Sequence, residues 1–366
     1  MNNTQTVAFL CQCLAFWDSS LIGAAEETIN SDRADWQKVL RCAGQHNVAS
    51  ALYTSLKKSG LLHRLPDDAT EYLHAVWSLT QQRNRMLRQA LVSVCSHLNT
   101  IGIPPLLLKG AAGLVPEGKY PGADDRIMAD LDLLVPPDQL QEAQNTLQQA
   151  GYSPMFHGHR AENMRKSNTK HDVPLEATDA PVRIELHRTV FGRGTEPIIN
   201  LASVWNQAET VRFQDAEMTL PDVTFRMLHH FIHHRFDDMG FAHNLLDLRR
   251  LYEFVLFCRT WDRKIRYEEL DRFCADKRIS AAWQAYQLSA HRLFGLPLKT
   301  PIISSYARYK DAQVRVRTQY PVLFVWDHWF RRACRLPKRL VTPSWYPLKY
   351  RQLTSTGEFA KDSDKR

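Results

Sequence analysis

Asp130-Leu131-Asp132-Leu133-Leu134-Val135, preceded about twenty residues earlier by Pro105-Leu106-Leu107-Leu108-Lys109-Gly110, is the pairing that decides the fold. In a β-strand successive side chains alternate faces, so Asp130 and Asp132 project to one side while Leu131, Leu133 and Val135 face the other, into a core. Two like charges on a half-buried face repel unless a cation lies between them, and hard oxygen donors suit Mg²⁺. The apolar run before Lys109 is short and tightly bounded, which predicts a buried strand. In the turn that follows, Gly110 would let the backbone approach a phosphate and Lys109 would supply countercharge. The combination points to metal-assisted phosphate chemistry.

Upstream of this stretch, residues 1–100 read as helical. Tyr72, Val76, Leu79, Met86, Leu87, Leu91, Val94 and Leu98 mark a long amphipathic helix, with Asn99 and Gly102 as its stop. Residues 116–126 are rich in Gly, Pro and Asp and read as a loop. Downstream, Pro136-Pro137 is expected to open a helix whose apolar face is Leu140, Ala143, Leu147 and Ala150, closed by Gly151. Residues 152–176 read as a strand, a long mobile loop and another strand. Val182, Ile184 and Leu186 then alternate with Arg183, Glu185 and His187, the period-two mark of a half-buried strand. From about residue 222 the pattern returns to helix, with further helices over about 267–294.

At 366 residues, 44% hydrophobic and 23% charged, the chain has the composition of a globular protein of two or three domains. It contains no run of 18 apolar residues, which excludes a transmembrane helix, and its N-terminus lacks a basic leader, so the expected compartment is the cytoplasm. The seven cysteines are scattered and predict reduced, mostly buried thiols. A net charge of +8 implies attraction to polyanions. Much of that excess lies after residue 306, where Arg331, Arg332 and Arg335 interleave with Trp326, Trp329 and Trp345. Nucleic acid is therefore an open partner class.

Read together, Lys109-Gly110, Arg126, the Asp130/Asp132 pair, Gly151-Tyr152 and Ile184-Glu185-Leu186-His187 resemble, in residue type and order, the DNA polymerase beta-like nucleotidyltransferase superfamily. More narrowly, they are similar to its bacterial uncharacterised nucleotidyltransferase family. Here Lys109-Gly110-Ala111 stands where the superfamily usually has a Gly-Ser turn. The resemblance implies an α+β fold, a small mixed-sheet nucleotidyltransferase core flanked by N-terminal and C-terminal helical regions. It implies Mg²⁺ held by Asp130, Asp132 and Glu185, which would also be the catalytic groups, and nucleotide contacts from Lys109, Gly110, Arg126 and His187. The implied substrates are an NTP, with ATP as the first expectation, and an acceptor the sequence does not identify. The alternative is a nucleotide-binding regulatory or scaffold protein without turnover.

The expected organisation is a helical region over 1–100, the α/β core over 101–220, a helical domain with a basic aromatic end over 221–351, and a disordered tail over 352–366. Competing readings accompany individual residues. Arg126 would serve as a salt bridge to Asp124 or Asp130, and Glu185 would pair with Arg183 or Arg188. In His229-His230-Phe231-Ile232-His233-His234 the i,i+4 histidines have zinc-binding spacing but lack the glutamate of the zinc-protease pattern, so one histidine facing the cleft and the others at the surface or in the core are expected.

Overall fold

The computed structural model describes residues 1–166, 170–177, 182–191, 200–238, 240–300 and 302–322. Trp326, Trp329, Trp345, the Arg331/Arg332/Arg335 run and the 352–366 tail lie outside the described residues. The fold is α+β, with helices before and after one seven-stranded mixed sheet. In chain order its strands are β1 (Leu106–Leu107), β2 (Asp130–Leu134), β3 (Tyr152–Pro154), β4 (Leu175–Ala177), β5 (Arg183–His187), β6 (Glu209–Phe213) and β7 (Ala216–Leu220). Their spatial order is β3-β4-β5-β2-β1-β7-β6. β2 therefore sits in the middle, antiparallel to β1 and parallel to β5.

The register follows from the apolar alternation. Leu131 and Leu133 of β2, Leu107 of β1 and Ile184 and Leu186 of β5 are buried in one cluster with Leu87, Leu91, Val94 and Leu98 of the long helix α5 (Asp67–Asn99). Leu140, Ala143 and Leu147 of α6 (Leu140–Gln149) complete that layer. Each fully buried Leu or Ile contributes about 1.5–3 kcal/mol, and a one-residue slip of β2 would drive Asp130 and Asp132 into this layer. The opposite face, carrying Asp130, Asp132 and Leu134, is thereby turned toward the other half of the molecule. There Leu106, Leu108 and Leu134 join a second core with α9 (Val223–Ile232) and α10 (Leu248–Trp261). The same core contains residues of α1 (Asn3–Leu14), α3 (Trp36–Gln45) and α4 (Ala49–Lys58), with Ala282, Trp283 and Tyr286 of α12 (Ser280–Phe294). The N-terminal and C-terminal helices thus share one apolar interior.

Several sequence expectations change here. The segment between β3 and β4 is not a plain loop: α7 (Gly158–Lys166) forms within it. The helix after Pro136-Pro137 begins only at Leu140, since residues 136–139 form a turn closed by Gln139 N–H donating to Pro136 O at 3.0 Å. The β6–β7 hairpin and α13 (Ser305–Gln319) have no counterpart in the reading of the sequence. Asp247 is the N-cap of α10, its Oδ1 accepting from Arg250 N–H at 3.1 Å. Among the described residues no helix is long and apolar enough to cross a membrane. The described cysteines are free thiols, and all but Cys42 are buried.

Candidate active site

β2 and β5 run parallel with Asp132 opposite Glu185 and Leu134 opposite His187, so the alternation that buries the leucines puts Asp130, Asp132, Glu185 and His187 on one face. Asp132 is the hub. Its Oδ1 accepts from Lys109 Nζ at 2.6 Å and lies 2.8 Å from His187 Nε2. Burial alone would raise the Asp132 pKa, but the Lys109 ammonium and the His187 hydrogen bond hold it well below the ordinary carboxylate range. His187 is fully buried and its Nε2 is 3.7 Å from Glu185 Oε2. His171, on the segment leading into β4, brings its own Nε2 to 3.6 Å from the same oxygen. Burial raises Glu185, and His187 and His171 more than reverse this, leaving its pKa lowered. Its neighbours are therefore histidines and not Arg183 or Arg188.

Asp130, half-buried one step back along β2, behaves oppositely. Burial, then the charges of Asp132 and Glu185, raise its pKa. Asp130 is thus the one of the three carboxylates whose ionisation its neighbours disfavour, a cost that a cation between them would relieve. Among the described residues, Asp132, Glu185 and His187 are the one group of three candidate ligands whose donor atoms all fall within 4.8 Å of one another. Two carboxylates and an imidazole, with Asp130 alongside, fit a divalent ion; the donor set does not by itself name which. Among the described residues the histidines of 229–234 form no comparable group.

Lys109 reaches Asp132 because of an unusual backbone. The chain leaves β1 with Leu108 N–H still bonded to Asp132 O at 3.0 Å and then turns sharply. Lys109 makes that turn with φ 48°, in the left-handed region that costs a non-glycine residue about 1–2 kcal/mol. Its buried ion pair offsets the strain. Gly110 itself is helical, φ −69° and ψ −30°, so it is not glycine for the sake of the turn. A Cβ there would stand 2.3 Å from Met128 Sδ and 3.0 Å from Arg126 Cζ. The glycine makes room for the Arg126 guanidinium.

Arg126 is held by its backbone and its side chain. Asn84 Nδ2 of α5 donates to Arg126 O at 3.0 Å and to Asp124 O at 2.7 Å. The guanidinium Nε lies 3.2 Å from Glu253 Oε1 on α10, with only 9% of the Arg126 side chain exposed. This replaces the expected partners Asp124 and Asp130; Asp124 pairs instead with Arg88 and Lys119. Burial lowers the Arg126 pKa, but Glu253 and Tyr120 more than restore it, and the Arg126 charge correspondingly holds Glu253 low against its own burial. Asp132 also acts electrostatically on Arg126, so the seven expected residues fall into two adjoining groups, one on the sheet and one between the Gly110 turn and α10.

Glu253 and His171 are site residues that the reading of the sequence missed. Glu253 had a usable signal, a lone acid inside Leu251-Tyr252-Glu253-Phe254-Val255, all of it buried. His171 had none, since its neighbourhood is set by an isolated antiparallel bridge to His187 at the end of β5.

The geometry is thus a buried carboxylate cluster on two adjoining central strands, with a lysine from the neighbouring turn on one of its oxygens. Comparison with known families gives the class: a transferase of nucleotidyl groups, with a nucleotide as substrate. The chain belongs to the uncharacterised nucleotidyltransferase family, whose model matches residues 32–295 and so spans every site residue above. No curated protein and no solved structure matches it significantly.

Proposed function

We propose that the protein is an Mg²⁺-dependent nucleotidyltransferase that moves a nucleoside monophosphate from an NTP, ATP in the first instance, onto a hydroxyl or phosphate of an acceptor. The observation that carries this reading is the convergence of Asp130, Asp132 and Glu185 on one sheet face with Lys109 beside them. A divalent cation held by these three carboxylates would neutralise polyphosphate charge and stabilise the attacking and leaving oxygens.

Asp132, kept ionised by Lys109 and His187, remains an acceptor-only ligand throughout the neutral range. Glu185, also held low, is ionised and positioned to take the acceptor proton. The acceptor oxygen then bonds to the α-phosphorus, the bond from that phosphorus to the bridging oxygen breaks, and pyrophosphate leaves with the electron pair. Lys109 and Arg126 offset charge on the phosphates, Gly110 gives the guanidinium its place, and His187 fixes Asp132.

Thermal unfolding with each NTP, with and without Mg²⁺, tests the site. Ligand at 100 times its Kd stabilises by about 2.7 kcal/mol. A metal-dependent rise in Tm that vanishes in the Asp130→Ala/Asp132→Ala variant supports the reading, and absence of any shift in the wild type refutes it. One observation favours the regulatory or scaffold alternative: Asp132 is already satisfied internally by Lys109 and His187. A metal-dependent shift with no transfer from labelled NTP to water, protein or nucleic acid would select that alternative.

A further inference from the structure

Beside the carboxylates lies a small enclosed cavity walled by Lys109 and Arg126 from the sheet side, Arg226, His229 and His233 from α9 and the turn after it, and Arg250 from α10. Its charges do not balance. Lys109 is paired with Asp132 and Arg126 with Glu253. Among the described residues Arg250 has only Asp238, at 3.5 Å, whose carboxylate is 43% exposed. Arg226 has no carboxylate partner among the described residues: its Nη2 donates to Gly118 O at 2.8 Å and its guanidinium lies over the Trp261 ring at 4.4 Å. Uncompensated cations in a low-dielectric interior are costly and are kept where an anion completes them.

Two further observations point into the same space. His229 Nε2 and Arg250 Nε are buried without a hydrogen-bond partner among the described residues, although nearly all buried donors in folded proteins are paired. The α-helical repeat also ends here: His229 and His233, four residues apart and with ring centroids 6.1 Å apart, share the face at which α9 passes into a π-helical turn, His233–Asp237. π-turns of this kind recur at functional sites.

We propose that this cavity receives the polyphosphate end of the nucleotide, so that the C-terminal helices, and not the strand turn alone, supply the phosphate receptor. The identity of the anion rests on the nucleotidyl-transfer reading; the existence of an anion site does not. The water-accessible volume is ≈ 20 Å³, room for one water molecule. A phosphoryl group therefore enters only as Lys109 turns from Asp132 toward it, and the nucleoside stays outside. Arg226 and Arg250 present planar donor forks suited to phosphate oxygens, and His229 adds a neutral donor.

The test is calorimetric titration of the full chain with inorganic tripolyphosphate in EDTA, beside ATP and orthophosphate. The variants are Arg250→Gln, Arg250→Lys, Asp130→Asn/Asp132→Asn and the exposed-surface control Lys57→Gln/Lys58→Gln. The wild type should bind tripolyphosphate without metal. Arg250→Gln should weaken binding about tenfold or more, Arg250→Lys less, and the surface control not at all. The Asp variant should keep or strengthen binding, since it removes two negative charges from the rim. That pattern together with no metal-dependent NTP binding would leave the anion site standing and remove the nucleotidyl-transfer reading. Metal-dependent ATP binding unchanged in Arg250→Gln, or loss in the surface control equal to that in Arg250→Gln, would overturn the proposal and leave the transfer reading intact. Absence of any wild-type tripolyphosphate binding in EDTA overturns it whether or not the variants fold.

Discussion

Gly110→Ala sets two effects of opposite sign against each other. Gly110 has helical dihedrals, so alanine is allowed by the backbone and would gain about 0.5–1 kcal/mol by restricting the unfolded chain. Against this stands the new methyl, 2.3 Å from Met128 Sδ, 3.0 Å from Arg126 Cζ and 3.2 Å from Arg126 Nε. Met128 can yield cheaply because the clash is with the far end of a flexible side chain. Arg126 cannot, since its backbone is held by Asn84 and its Nε faces Glu253 at 3.2 Å inside the protein. Overpacking costs about 1–3 kcal/mol, and displacing a buried ion pair raises that toward 3–5 kcal/mol. The net expectation is a destabilisation of about 2–4 kcal/mol, read by urea unfolding at neutral pH. Adding Met128→Ala should return only the part due to the thioether. A Gly110→Ala protein as stable as wild type would refute the packing argument. If it also lost NTP binding, the glycine would be reserved for the phosphate itself.

Three further outcomes follow from the buried charges. Asp125, buried and accepting from Thr54 Oγ1 at 2.7 Å, is pushed up to about 6, chiefly by burial. A carboxyl raised in the folded state is protonated in both states at pH well below 4, so it costs no stability there; the cost grows as pH rises from about 4 to about 6 and is fully present above that. Asp125→Asn should therefore match wild type near pH 3 and exceed it at pH 8 by up to about 3 kcal/mol, from 1.36 kcal/mol per pKa unit; an equal difference at both pH values would refute the assignment. Glu253→Gln leaves the Arg126 charge buried against a neutral partner and should cost about 3–5 kcal/mol in denaturant unfolding. Adding Arg126→Met should recover much of that loss, and strictly additive single changes would argue that the pair is not coupled.

What could be read from the chain was whatever repeats at short range. β2 and β5 announce themselves because each alternates and each is bounded, and the same alternation fixed Asp130, Asp132, Glu185 and His187 to one face. The β6–β7 hairpin escaped because its turn residue Gln214 adopts φ 56° without being glycine or asparagine, the usual signal. α7 escaped because Gly158–Lys166 has almost no apolar periodicity, with Ala161 its buried residue. Arg126 was found, but its partner lies on a helix 127 residues away, and no local pattern connects an arginine in a loop to an acid inside α10. Likewise the histidine run has i,i+4 metal spacing, but His230 lies by Glu253 and His233 by Asp238, partners that no local pattern reveals.

Lys109 links the two halves of the site and gives the most discriminating variant. Its Nζ lies on the Asp132 oxygen that His187 also occupies, yet its side chain walls the cationic cavity. A lysine that neutralises Asp132 competes with any cation for that oxygen, whereas a lysine that turns to a phosphate helps the nucleotide. Lys109→Met should therefore split the two affinities: tighter binding of Mn²⁺ alone and weaker binding of ATP in EDTA, each by about tenfold, the scale of one charge-assisted hydrogen bond. The variant loses the ion pair but keeps the strained φ of 48°, so Lys109→Gly, which relieves that strain, provides the check on folding. Calorimetric titration of both ligands into both variants reads the split. Movement of the two affinities in the same direction would mean that Lys109 only supports the fold of the turn, because a purely structural lysine has no reason to favour one ligand over the other.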